Sequence, residues 1–132
     1  MKKEAMIARL VEFPYGMDEF WLTAGAALVL FGIRKETEDI DMGCTTAAAN
    51  RLEADGYLYR VMEDGNRWFK IDEDIEVFEN WLYGSVEQLD GYPVLSLQGL
   101  RELKQHLGRD KDLRDVQLID TFLSQNPSGL SG

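Results

Sequence analysis

Between Thr23 and Gly32 the chain reads TAGAALVLFG, a run that offers no polar face. Ala and Leu favour helix there, and a helix that is apolar all round has to be enclosed by the rest of the protein. The segment belongs to the core, and whatever flanks it must cover it. Just before it, EFWLTAG reads as a buried strand, with Gly25 as the turn into the helix. Just after it, EDIDMGC alternates polar and apolar residues. That period of two predicts a strand with Ile40 and Met42 on one face and Asp39 and Asp41 on the other.

The remaining segments mix the same two periodicities. KKEAMIARLVEF sets Ala5, Ile7, Ala8, Leu10 and Val11 at helical intervals ahead of Pro14 and Gly16. TTAAANRLEADGY offers Thr45 or Thr46 as an N-cap and Gly56 as a stop. YLYRVMEDGNRWFKI has strand composition on each side of Asp64 and Gly65, a hairpin signal, and DIEVFENWL reads as a further strand leading to Trp81. A short extended piece at GYPV precedes Ser96, the cap of a helix with Leu97, Leu100, Leu103 and Leu107 on one stripe, closed by Gly108. DKDLRDVQLIDTFLSQ repeats the helical pattern with Leu113, Val116, Leu118, Ile119 and Phe122. At 132 residues and 45% hydrophobic content the chain suffices for one core. A single domain over 1–125 is expected, with NPSGLSG at 126–132 as a flexible tail.

Charge narrows the function. With 24 acidic against 14 basic residues the net charge is −10, which opposes broad nucleic-acid binding, because that affinity comes from cations neutralising phosphates. The acids are scattered as a solvated surface. The sequence has no apolar run long enough for a membrane span, and its first residues lack the apolar stretch of a signal peptide, so a cytoplasmic protein is expected. Cys44, the single cysteine, reads as a small buried filler. His106, the single histidine, reads as a surface residue, and Trp21, Trp68 and Trp81 as core.

Asp39 and Asp41 are the exception to the solvated acids. On one strand face their Cα atoms are about 7 Å apart. Two such carboxylates raise each other's proton affinity, and a divalent cation between them relieves the repulsion. Hard oxygen ligands favour Mg²⁺ or Mn²⁺, and Mg²⁺ completes its shell with water and substrate phosphates. A half-exposed edge strand with two solvated aspartates would give the same pattern.

Three stretches together, AGAALVLFG, GIRKETEDID and LGRDKDLRDV, resemble the minimal nucleotidyltransferase-like proteins of the DNA polymerase beta superfamily, and within it the abortive-infection-toxin-like branch. The resemblance spans roughly residues 20 to 123. Ala24 and Gly25 stand where that family has paired small residues, Gly32 at its internal glycine, and Thr37, Asp39, Ile40 and Asp41 at its Thr-x-Asp-Ile-Asp element. The resemblance implies an α+β fold with a mixed, mostly antiparallel sheet flanked by helices. It also implies that Asp39 and Asp41 bind the catalytic Mg²⁺ or Mn²⁺, with Glu76 as third carboxylate ahead of Asp74 and Asp72. Gly25 with Ala26 would let the helix N-terminus approach a triphosphate, Arg34 or Lys35 would be the loop cation, and Lys104, Lys111 and Asp112 would lie in helices beside the nucleotide. The implied function is metal-dependent transfer of a nucleoside monophosphate from an NTP to an acceptor. The alternative is a noncatalytic protein that keeps this fold and binds a protein partner, as in a toxin–antitoxin pair.

Overall fold

The computed structural model describes residues 1–126, so the expected tail at 126–132 lies outside the described residues apart from Asn126. In chain order the elements are α1 (Lys3–Val11), β1 (Phe20–Thr23), α2 (Ala24–Leu30), β2 (Ile40–Cys44), α3 (Thr46–Ala54), β3 (Tyr59–Val61), β4 (Arg67–Lys70), β5 (Ile75–Glu79), β6 (Val86–Leu89), β7 (Tyr92–Leu95), α4 (Leu97–Leu107) and α5 (Asp110–Gln125). The strands form one sheet in the order β3-β4-β5-β2-β1-β7-β6. β1 is antiparallel to β2 and parallel to β7, and β2 is parallel to β5. The outer pairs β3–β4, β4–β5 and β6–β7 are antiparallel. The fold is therefore α+β, a mixed and mostly antiparallel sheet flanked by helices.

The apolar α2 organises the core. Ala26, Ala27 and Leu28 are wholly buried, and the helix touches β1, β2, α1 and α4. Side chains of the size of Leu28, Val29 and Leu30 each contribute about 1.5–3 kcal/mol when fully buried. β1 is buried along its whole length, as a central strand should be. On β2 the period of two is realised, with Ile40, Met42 and Cys44 wholly buried and Asp41 turned to the other face. Thr45 caps α3, its side chain accepting from the Ala48 N–H (3.2 Å), and Ser96 caps α4 by accepting from the Gly99 N–H (3.1 Å). Among the described residues, no helix is long and apolar enough to cross a membrane.

Several sequence expectations are corrected. β2 begins at Ile40, so Asp39 precedes the strand. The sharp turn from β1 into α2 is taken by Ala24 (φ 52), and Gly25 already lies inside the helix. β5 stops at Glu79, because Asn80 turns left-handed (φ 58) and Trp81 leaves the ladder. The extended piece at GYPV is one arm of a hairpin whose other arm, β6, was missed. Its Asp90-Gly91 turn has positive φ at both residues (52 and 83), the conformation that an Asp-Gly pair announces. On α5 Leu113 and Leu118 are exposed, outside the apolar stripe expected of them.

Candidate functional site

The site begins where β1 hands over to α2. Ala24 is held left-handed, which costs an L-residue with a Cβ about 1–2 kcal/mol. Strain of this kind persists only where the surroundings over-determine it. Ala24→Gly is expected to raise stability by about 1 kcal/mol, since the relieved strain exceeds the added freedom of the unfolded chain. Urea denaturation checks this, and an unchanged or lower midpoint would show that the turn is unstrained. Gly25 is required for a different reason. A Cβ there would stand 2.5 Å from Thr37 Oγ1 and 3.4 Å from the Arg34 guanidinium, so the loop before β2 packs into the space the glycine leaves. That loop is pinned by the Thr37 N–H donating to the Met1 carbonyl (2.9 Å) and the Thr37 hydroxyl donating to the Asp39 carbonyl (2.9 Å).

Asp41 lies opposite Thr23 across β1–β2 and opposite Glu76 across β2–β5. Its Oδ1 is buried with no hydrogen-bond partner among the described residues, and the same holds for the Thr23 hydroxyl. Burial first, and then the Glu76 and Asp39 carboxylates, push the Asp41 carboxyl up to about 7, against the pull of Lys104. Glu76 Oε1 accepts from Trp68 Nε1 (3.1 Å). Asp74 and Asp72, the alternatives for a third carboxylate, are engaged by Arg9 instead, Asp74 at 3.3 Å.

A cleft of about 460 Å³ opens beside Asp41, walled by the start of α2, the loop after it, α4, α5 and Trp81. Five of the chain's fourteen Lys and Arg residues line it: Arg34, Lys104, Arg109, Lys111 and Arg114. Only Glu38, Asp39, Asp41 and Asp115 of its twenty-four acids do so. A strongly acidic protein thus concentrates cations around two aspartates, the arrangement that draws a polyanion into a low-dielectric recess.

Some of these charges are bound to one another. Lys104 is 5% exposed, with its ammonium 2.9 Å from Asp115 and 3.3 Å from Asp112. Arg109 Nε reaches Asp112 at 2.6 Å, and the Arg34 guanidinium stands 3.8 Å from Asp115. Burial alone would raise the Asp112 carboxyl, but Arg109 and Lys104 hold it below its ordinary range.

The sequence-predicted residues are thereby sorted. Asp39, Asp41, Gly25, Arg34, Lys104 and Lys111 line the cleft. Glu76 neighbours Asp41 from β5 without lining the cleft, Ala26 is wholly buried in the core, and Lys35 is exposed off the wall. Sequence reading missed Arg109, Arg114, Asp115 and Trp81. Lys111, Arg114, Asp115 and Leu118 follow the i, i+3, i+4, i+7 rule of one helix face, so that signal was present. Trp81 had none, since its place depends on the left-handed Asn80.

Among the described residues no three His, Cys, Asp or Glu side chains converge as a ready-made cage. Asp41 nevertheless keeps a buried oxygen without a partner beside two further acids. That set fits a hard cation which keeps water and ligand oxygens in its shell, as Mg²⁺ does.

No protein-family profile and no curated protein matches the sequence. Two crystal structures do match the fold. A "putative nucleotidyltransferase" from Thermotoga maritima aligns over 95% of this chain and 96% of that one, with a TM-score of 0.60 and 17% identity. The fold is nucleotidyltransferase-like. The Megavirus polyadenylate synthase aligns over 96% of this chain but 35% of its own, with a TM-score of 0.53 and 13% identity. At such identities the likeness is one of fold. It does not single out the abortive-infection branch.

Proposed function

We propose that the cleft takes a nucleoside triphosphate together with Mg²⁺ or Mn²⁺, and that the protein transfers the nucleoside monophosphate to an acceptor hydroxyl. The observation that carries this reading is the coincidence of Asp41, with its unpartnered buried oxygen, and five cations lining one cleft. Asp39 and Asp41, with Glu76 beside them, would hold the cation. When bound, it lowers the pKa of the acceptor hydroxyl and offsets charge on the reacting phosphate. Arg34, Lys111 and Arg109 neutralise and orient the phosphates, and Lys104 presents a charge already fixed in place. The acceptor oxygen bonds to the α-phosphorus, the bond from that phosphorus to the bridging oxygen breaks, pyrophosphate leaves, and the hydroxyl proton passes to solvent.

A second reading keeps the fold without catalysis and makes the protein an interaction module, with a protein partner of the toxin–antitoxin kind as one form. It is favoured by the want of a three-carboxylate cage among the described residues and by the commitment of Lys104 to Asp112 and Asp115. A likeness of fold satisfies this second reading in full, and it asks less of the site than transfer does.

Titration calorimetry with ATP, GTP, CTP and UTP, in Mg²⁺ or Mn²⁺, separates the two. Transfer requires metal-dependent binding that disappears in the Asp39→Asn/Asp41→Asn variant. A folded wild type that binds no nucleotide with either metal leaves the interaction module.

A further inference from the structure

Most of the cleft lining is charged or small, and Trp81, Leu107 and Leu118 are its large apolar side chains. Trp81 follows the left-handed Asn80, which donates three hydrogen bonds. The Asn80 N–H donates to the Cys44 carbonyl (2.7 Å), and its side-chain amide donates to Thr46 Oγ1 (3.0 Å) and Asn66 Oδ1 (3.2 Å). The Trp81 carbonyl accepts from Trp21 Nε1 (3.1 Å). The Trp21 indole lies so close over β2 that a Cβ on Gly43 would meet its nitrogen at 2.1 Å. Phe78 stacks against the Trp81 ring at 4.2 Å and 26°, and Trp68 stacks on Phe78 at 5.8 Å and 6°. The half-buried Trp81 ring is thus backed by aromatics and strung on a strained turn, while it still walls the cleft.

We infer that Trp81 is the stacking surface for the base of a nucleotide whose phosphates lie among the cations of the same cleft. The inference rests on the polyphosphate reading above and extends it to the ring. A nucleoside triphosphate joins a polyanion to a flat apolar ring, and this cleft joins a cationic wall to a flat aromatic one. Backbone strain at a non-glycine residue clusters at ligand sites, and Asn80 aims this ring. Stacking tolerates every base and favours the larger purine face.

The test compares magnesium tripolyphosphate, magnesium ATP and magnesium CTP by calorimetry on wild type, Trp81→Leu and Trp81→Phe. Leu fills the space without a ring, and Phe keeps a ring. Wild type should bind ATP roughly tenfold more tightly than tripolyphosphate, the contribution of one stacked base, with CTP between them. Trp81→Leu should bring ATP to the level of tripolyphosphate while leaving tripolyphosphate itself at its wild-type affinity, and Trp81→Phe should keep most of the ATP advantage. An ATP advantage undiminished in Trp81→Leu overturns the stacking role and leaves the polyphosphate reading standing. If wild type binds neither ATP nor tripolyphosphate, both readings fall together.

Discussion

Asp41→Asn is expected to make the ligand-free protein more stable than wild type at pH 8, by up to about 4 kcal/mol, and to leave it near wild type at pH 4. The sign follows from a folded-state pKa of about 7, raised from an ordinary value of 3.8. Between those two values the folded protein still holds a proton that the unfolded chain has released, so wild-type stability falls as pH rises through the window. Above it the full cost of a buried carboxylate, flanked by Glu76 and Asp39, is felt. Asparagine keeps the shape and stays neutral, and so escapes the loss. Urea denaturation at intervals from pH 4 to 8 should show a gap that opens between pH 4 and 7 and then levels off. Mg²⁺ or Mn²⁺ should close part of the gap at pH 8 by stabilising wild type alone, through binding to the folded state. A gap that stays constant with pH would refute the raised pKa, and with it the argument that Asp41 awaits a positive partner.

Most of this fold was legible because local rules agree with the tertiary result. Thr45, Ser96, Gly56 and Gly108 mark helix ends whose signals are local, and Ile40 and Met42 keep their strand period because one face is buried. The site was legible where it lies on those elements. Glu76 was grouped with Asp41 only through the resemblance, because thirty-odd intervening residues of sequence do not disclose that β2 and β5 are parallel neighbours. The handover at Ala24 was misplaced because propensity assigns a left-handed turn to glycine, whereas here Ala24 takes that turn and Gly25 leaves room for Thr37 and Arg34. The scattered acids read as a solvated surface, yet Asp112 and Asp115 are buried with Lys104, because the contact between α4 and α5 gathers them. Charge patterns of the same spacing serve a wet surface and a packed cleft equally, and only the burial separates the two.

That burial makes Lys104 and Asp115 the second informative pair. Lys104→Met should cost about 3–5 kcal/mol, because it leaves Asp115 and Asp112 buried with one cation fewer each. Asp115→Asn should also cost stability, by leaving Lys104 with Asp112 as its remaining carboxylate partner at 3.3 Å. The double variant should lose less than the two single losses combined, with a coupling of about 1–3 kcal/mol, as charges in one network do. Affinity for magnesium tripolyphosphate, measured well below each melting range, then divides the roles. An ammonium held at 2.9 Å by Asp115 needs no ordering when an anion arrives. Lys104→Met should therefore weaken tripolyphosphate binding by roughly tenfold, a loss of about 1.4 kcal/mol. Asp115→Asn removes a negative charge from the same wall and should strengthen binding by a similar factor. Both substitutions thus move stability in one direction and affinity in opposite ones. If affinity falls in both, in step with stability, Lys104 acts on the cleft solely by keeping α4 and α5 together, and its place beside the phosphates is lost.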